Sequence, residues 1–167
     1  MDKQFYFRSF LVLAVTFVAG SLLGGFAARS FGASELSLPD ENTLTFASKL
    51  FANALFPALA LLLGTSVIGI FGLPLLCGAK GFSITFTLTA AMMDLDSASK
   101  IALLKFKAAP AIVSVTVMLL ISAQSMVSSA KLLKLANKGT VSGSIYGSKY
   151  WLIAVLSAAL LVIVSLI

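Results

Sequence analysis

Apolar residues in this chain do not alternate with polar ones; they come in long blocks, at residues 10–28, 50–71, 75–93, 109–129 and 150–167. A helix rises 1.5 Å per residue, so roughly 20 apolar residues cross the hydrocarbon core of a bilayer, about 30 Å thick. Each block is near that length. The pattern predicts an all-α fold: one multi-pass membrane domain over residues 1–167, a helical bundle of about five transmembrane helices. Lys3 and Arg8 precede the first block as they would in a secretory signal. The four blocks that follow point instead to a retained anchor.

Three connections are polar enough to leave a membrane. Residues 29–49 contain Glu35, Pro39, Asp40, Glu41 and Asn42; Asp94, Asp96, Ser97 and Ser99 follow the third block; residues 131–149 hold Asn137, Gly139, Gly143 and Gly147. Only Gly72, Leu73 and Pro74 separate the second block from the third, which predicts a tight hairpin there. From Phe82 to Thr89 polar and apolar residues do alternate, with the period of a strand. A lone strand in hydrocarbon would leave backbone groups unpaired at several kcal/mol each, so a helix is expected, its Ser and Thr hydroxyls bonding back to the preceding turn or across to a neighbour. Leu95, Ile101, Leu104 and Ala108 recur at near-helical spacing among Lys100, Lys105 and Lys107, the signature of an amphipathic helix lying in the interface before the fourth span.

Composition strengthens this picture. Hydrophobic residues make up 59% of the chain and charged ones 11%, against about 25% charge in soluble proteins. A core of this size leaves roughly a third of the chain's surface exposed, so lipid must be the solvent for the excess apolar area. The net charge of +6 comes from lysines and arginines that flank apolar blocks; anionic headgroups account for it, and no nucleic-acid partner is expected. Lys3 and Arg8 at one end, and Lys131, Lys134, Lys138 and Lys149 after the fourth block, fall on the same side if there are five spans. Positive residues favour the cytoplasm, which places the amino terminus inside and the carboxyl terminus outside.

The chemistry available is thin. With no histidine in the sequence, the commonest general base and metal ligand are missing. Cys77 is the one cysteine, so no internal disulfide forms, and it reads as a small buried residue. Asp94 and Asp96 supply too few oxygens for a metal site. No catalytic residue, metal, cofactor or small-molecule substrate is expected. Lys80 lies about five residues, or roughly 8 Å, inside the third block. From there it either snorkels to the headgroups or does something within the membrane. Gly20 and Gly24 form a GxxxG pair, with Gly25 beside them; Gly64, Thr65, Ser66, Gly69 and Gly72 line the second block. Such residues let helices approach closely, within one chain or between two proteins. Asn53 and Gln124 are amides near span ends, facing either another helix or water.

The stretch Leu63-Gly64-Thr65-Ser66-Val67-Ile68-Gly69-Ile70-Phe71-Gly72-Leu73-Pro74, followed by Lys80-Gly81-Phe82-Ser83-Ile84-Thr85-Phe86, resembles the stage II sporulation protein M family, as does Ala109-Pro110-Ala111-Ile112 at the head of the fourth span. The resemblance covers about half the chain. It implies a five-span, non-catalytic scaffold in the membrane of a sporulating bacterium, holding two peptidoglycan-degrading enzymes, the stage II proteins D and P, at the septum during forespore engulfment. It also implies that Gly69, Pro74, Lys80, Gly81 and Phe82 form a structural hairpin between the second and third helices. The first external link looks shorter than the family's, and the loop before the fourth span is charged differently. The alternative reading is a permease subunit or small transporter, with Lys80, a glycine-lined second helix and Thr85, Thr87 and Thr89 lining a polar path.

Overall fold

The computed structural model describes residues 3–30, 46–93, 97–137, 139 and 148–166, with side-chain surroundings over 4–30, 54–93, 111–137 and 150–160. Among these residues the fold is all-helical: α1 (Lys3–Ser30), α2 (Phe46–Gly64), α3 (Gly69–Met93), α4 (Ser97–Ala136) and α5 (Ser148–Leu166). Helices Gln4–Ser30, Gly69–Met93 and Ala111–Ala136 are long and apolar enough to cross a membrane, while Ala54–Gly64 and Tyr150–Leu160 are shorter apolar helical stretches within α2 and α5. A multi-pass helical membrane bundle fits. The alternating run from Phe82 to Thr89 is helical, and Thr87 Oγ1 donates to the Ser83 carbonyl at 2.8 Å, a bond back to the preceding turn.

The hairpin is not at Gly72, Leu73 and Pro74. It lies wholly before them, at residues 65–68, and Pro74 is inside α3. The cause is a pair of caps. The Ile68 N–H donates to Ser66 Oγ at 3.2 Å and the Gly69 N–H to the Ser66 carbonyl at 3.2 Å, so Ser66 caps the start of α3. By Gly72, whose N–H reaches the Ile68 carbonyl at 3.0 Å, the helix has begun. Pro74 then forfeits one helical bond early in the helix, a loss that neighbouring helices in a membrane bundle tolerate. The carbonyls at the end of α2 are covered in turn: Thr65 Oγ1 donates to Leu62 at 2.7 Å, Ser129 Oγ of α4 to Leu63 at 3.1 Å, and the Tyr150 hydroxyl of α5 to Leu61 at 3.4 Å. Three elements therefore seal one helix end.

The fourth span also differs from the 109–129 block. At 40 residues α4 is about 60 Å long, twice the hydrocarbon thickness. The stretch expected to lie separately in the interface is the continuous first part of this helix. Its side chains before Ala111, those of Lys100, Lys105 and Lys107 included, lie outside the described residues, as do the 31–45 link, Asn53, Asp94, Asp96, and Gly143 and Gly147. α4 ends at Ala136, where the Gly139 N–H returns to the Lys134 carbonyl at 2.9 Å.

Contacts fix the directions. Thr16 meets Gly78, Gly24 meets Phe82 and Gly25 meets Thr85, so α1 and α3 run parallel. Leu63 meets Gly72 and Phe56 meets Lys80, so α2 returns antiparallel to α3. Gly69 faces Ser129 and Cys77 faces Ser122, so α4 is antiparallel to α3. The start of α1, the 65–68 turn, the end of α4 and the start of α5 consequently share one end of the bundle. Leu13, Ala60, Leu73, Cys77, Val117, Met118 and Ile121 form the centre, with Phe10, Phe17 and Phe56 packed on it. Leu22, Phe26, Phe71 and Leu75 are each more than two-thirds exposed on the outside. Lipid chains are the natural contacts for such faces.

Candidate functional site

α3 is the helix around which the polar features gather, and its three sides differ. Toward α1 it carries Gly78 and Gly81, and α1 answers with Gly20 and Gly24. A Cβ on Gly20 would strike the Gly78 carbonyl, one on Gly24 the Phe82 carbonyl, and one on Gly81 the Phe17 carbonyl. Backbone meets backbone along this seam. In lipid, where apolar side chains gain little by leaving hydrocarbon, such contact density is what binds helices. Thr85 joins the same side, its Cγ2 at 3.3 Å from where a Gly25 Cβ would stand, with Thr89 just beyond.

Toward α4, Gly69 opens the helix beneath Ser129 and the Leu63 carbonyl. Gly64, at the end of α2, gives room to Ser125, whose Oγ would sit 2.7 Å from an added Cβ. α4 supplies a ladder of small hydroxyls, Ser122, Ser125, Ser128 and Ser129, all fully buried. Ser128 bonds back to the Gln124 carbonyl at 3.2 Å, whereas Ser114 and Ser125 have buried hydroxyls without a hydrogen-bond partner among the described residues. Cys77 lies against Ser122.

Toward α2 the character changes. Lys80 stands about eleven residues, or roughly 16 Å, beyond Gly69 and about thirteen residues short of Met93. Because α3 begins earlier than the apolar block suggested, the lysine is near mid-helix and not a turn and a half from an end. Either end of α3 is therefore farther away than a lysine side chain can reach. Its Nζ lies 4.6 Å from the centroid of the Phe56 ring on α2, a cation–π geometry. Phe56 and Lys80 are both half-buried, and Ser83 and Thr87 on the same face of α3 are exposed. None of the five helices contains an aspartate or glutamate.

No family model, curated protein or solved structure matches this chain.

The residues singled out in the sequence thus separate into groups. Gly20, Gly24, Gly81 and the backbone of Phe82 meet in the α1–α3 seam; the Phe82 ring turns outward and stacks on Phe86 at 5.7 Å. Gly64 and Gly69 meet the α4 serines. Lys80 is on a third face, and Pro74 is half-buried in the first turns of α3. They do not form one hairpin. Nor do the three threonines line one path: Thr85 and Thr89 face α1, while Thr87 is exposed on the Lys80 side. Three contributors escaped the sequence reading. Phe56 had no signal of its own. Ser122, Ser125 and Ser129 carried one, since spacings of three and four residues put small side chains on one helix face. Tyr150, at the head of an apolar block, had the amphipathic build that suits a capping role.

Proposed function

We propose that this chain is a non-catalytic membrane scaffold of the stage II sporulation protein M type, anchoring peptidoglycan-degrading enzymes at the septal membrane while the forespore is engulfed. The resemblance around the 65–68 turn and the Lys80-Gly81-Phe82 sequence motivates it. The observation that carries it furthest is the α1–α3 seam, where glycines on both helices bring backbones into contact. The chain sits in the bacterial cell membrane with its amino terminus in the cytoplasm and its carboxyl terminus outside. The partners are wall hydrolases, the stage II proteins D and P by resemblance.

Purification of a tagged copy in mild detergent, from sporulating and from growing cells, tests this. Wall hydrolases enriched only during sporulation are the expected result. A strain lacking the chain that completes engulfment normally, with no hydrolase co-purifying, ends the proposal. One observation favours a transport protein instead: an ionisable side chain at mid-helix often marks a substrate pathway. A nucleotide-binding subunit in both preparations, without a hydrolase, is the result that reading requires.

A further inference from the structure

Lys80 is near the middle of a helix long and apolar enough to cross a bilayer, and the five helices offer it no acid. An amine there is costly, by about 2.5–3.5 kcal/mol at a helix centre on insertion scales, and is normally matched by an acid, backbone carbonyls or a watery cavity. Phe56 covers one side of it at 4.6 Å. Lys80 itself is only half-buried. Ser83 and Thr87, three and seven residues on, lie within about 60° of arc of Lys80 on α3, and both are exposed. α2 packs less extensively on α3 than α1 does, and Ser83 and Thr87 are left uncovered. Thr87 has its hydroxyl tied back to the Ser83 carbonyl at 2.8 Å, which leaves a compact surface against which a second backbone can lie. Elsewhere the outward side of α3 presents Phe71 and Leu75, which suit lipid.

We propose that the Lys80, Ser83 and Thr87 face of α3 docks a transmembrane helix of a partner protein that carries an aspartate or glutamate at mid-membrane depth. The acid meets the Lys80 amine as an ion pair or a hydrogen bond, and the small residues of α3 let the two backbones close. Charge complementarity selects the occupant: a lipid headgroup does not reach this depth, and a second copy of the chain brings helices without acids. For the partner's identity this rests on the scaffold reading; for its chemistry it rests on Lys80 alone.

The test uses the purified full chain, labelled at a terminal tag, in phosphatidylcholine vesicles. The probes are two synthetic polyleucine transmembrane peptides that differ only in a central Glu or Gln, with energy transfer reporting association. The glutamate peptide is expected to bind about tenfold more tightly, the equivalent of about 1.4 kcal/mol. Lys80→Met abolishes the preference and Lys80→Arg keeps it. Should Lys80→Met not fold, Ser83→Leu with Thr87→Leu blocks the face while leaving the lysine, and both peptides lose binding. Equal binding of the two peptides, or a glutamate preference that survives Lys80→Met, overturns the proposal. Lys80-dependent release of a trapped small anion, without peptide preference, overturns it in favour of transport. Hydrolase capture from sporulating cells separates this failure from that of the scaffold: capture unchanged by Lys80→Met refutes the docking face alone, and no capture by the natural chain refutes the scaffold alone.

Discussion

The two sides of α3 toward its neighbours α1 and α2 are built on opposite terms. Against α1 every available ångström is used: glycine faces glycine or a backbone carbonyl, and an added methyl has nowhere to go at Gly20, Gly24 or Gly81. Against α2 the helix keeps a long cationic side chain under an aromatic ring and leaves Ser83 and Thr87 uncovered. The first side is fixed by shape and holds within the chain. The second is incomplete in charge and is where something from outside can be recognised. Rigidity on one side makes the other a defined surface, because a groove on a loosely held helix would have no fixed geometry to read.

The largest effect expected is from Gly20→Leu. Four extra carbons would be driven into the Gly78 carbonyl, and α1 would have to leave α3 along its length. Overpacking typically costs 1–3 kcal/mol and occasionally more; here the obstacle is backbone and cannot change rotamer, so a loss of about 3 kcal/mol is expected. Unfolding of the purified protein by dodecyl sulfate in mixed micelles measures it. A loss below about 1 kcal/mol would mean that the seam does not hold the bundle.

Lys80→Met should act in the opposite direction. The substitution gives up a cation–π contact of about 0.5–2 kcal/mol but also removes a charged group whose place at a helix centre costs about 2.5–3.5 kcal/mol. A stability gain of about 1–2 kcal/mol is expected in the same assay. If stability fell instead, Lys80 would be a structural tie between α2 and α3, and the contrast between closed and open sides would collapse.

How much of this was legible in the residues follows from what a sequence encodes. The all-helical bundle of five helices was readable, because apolar block length acts locally on each helix, although only three of the helices are long and apolar enough to span among the described residues. Gly20 and Gly24 needed only their own spacing to be noticed. The hairpin was misplaced because Gly72-Leu73-Pro74 was read for its breakers, while the turn is set by Gly64 ending one helix and Ser66 capping the next. That shift moved Lys80 from the margin of a span to its middle. The pairing of Lys80 with Phe56 depends on how α2 folds back on α3, and no local pattern carries it. The hydroxyls of Ser114 and Ser125, unpartnered among the described residues, were equally out of reach, since whether a buried serine finds a bond is a property of the packed bundle.

A smaller effect is expected where α4 closes the end of α2. Ser129→Ala removes the hydroxyl that donates to the Leu63 carbonyl at 3.1 Å. Interhelical hydrogen bonds in membrane proteins average about 0.6 kcal/mol, and the Leu63 carbonyl keeps the Ser66 N–H at 3.1 Å. A loss of about 0.5–1 kcal/mol should appear in the unfolding curve. Faster amide exchange at residues 65–68 should accompany it if the bond steadies the turn. A change without that local signature would place the effect in packing around Gly69.

The smallest effect discriminates most sharply, because it compares two glycines on opposite sides of one seam. A Cβ at Gly20 collides with the Gly78 carbonyl, yet a Cβ at Gly78 would find its nearest neighbour, the Thr16 carbonyl, at an ordinary 3.4 Å. The asymmetry arises because Gly78 offers its carbonyl to α1 while its own Cα–H bond points beside the contact line. Alanine is favoured over glycine in a helix interior by about 0.8–1.0 kcal/mol. Gly78→Ala should therefore leave stability unchanged or raise it by up to about 1 kcal/mol, whereas Gly20→Ala, despite the same gain in helix preference, should lower it. If both substitutions destabilise equally, the seam is symmetric and the parallel register of α1 on α3 is wrong. If neither does, the helices are farther apart than backbone contact requires, and the side of α3 toward α1 is no firmer than the side that holds Lys80.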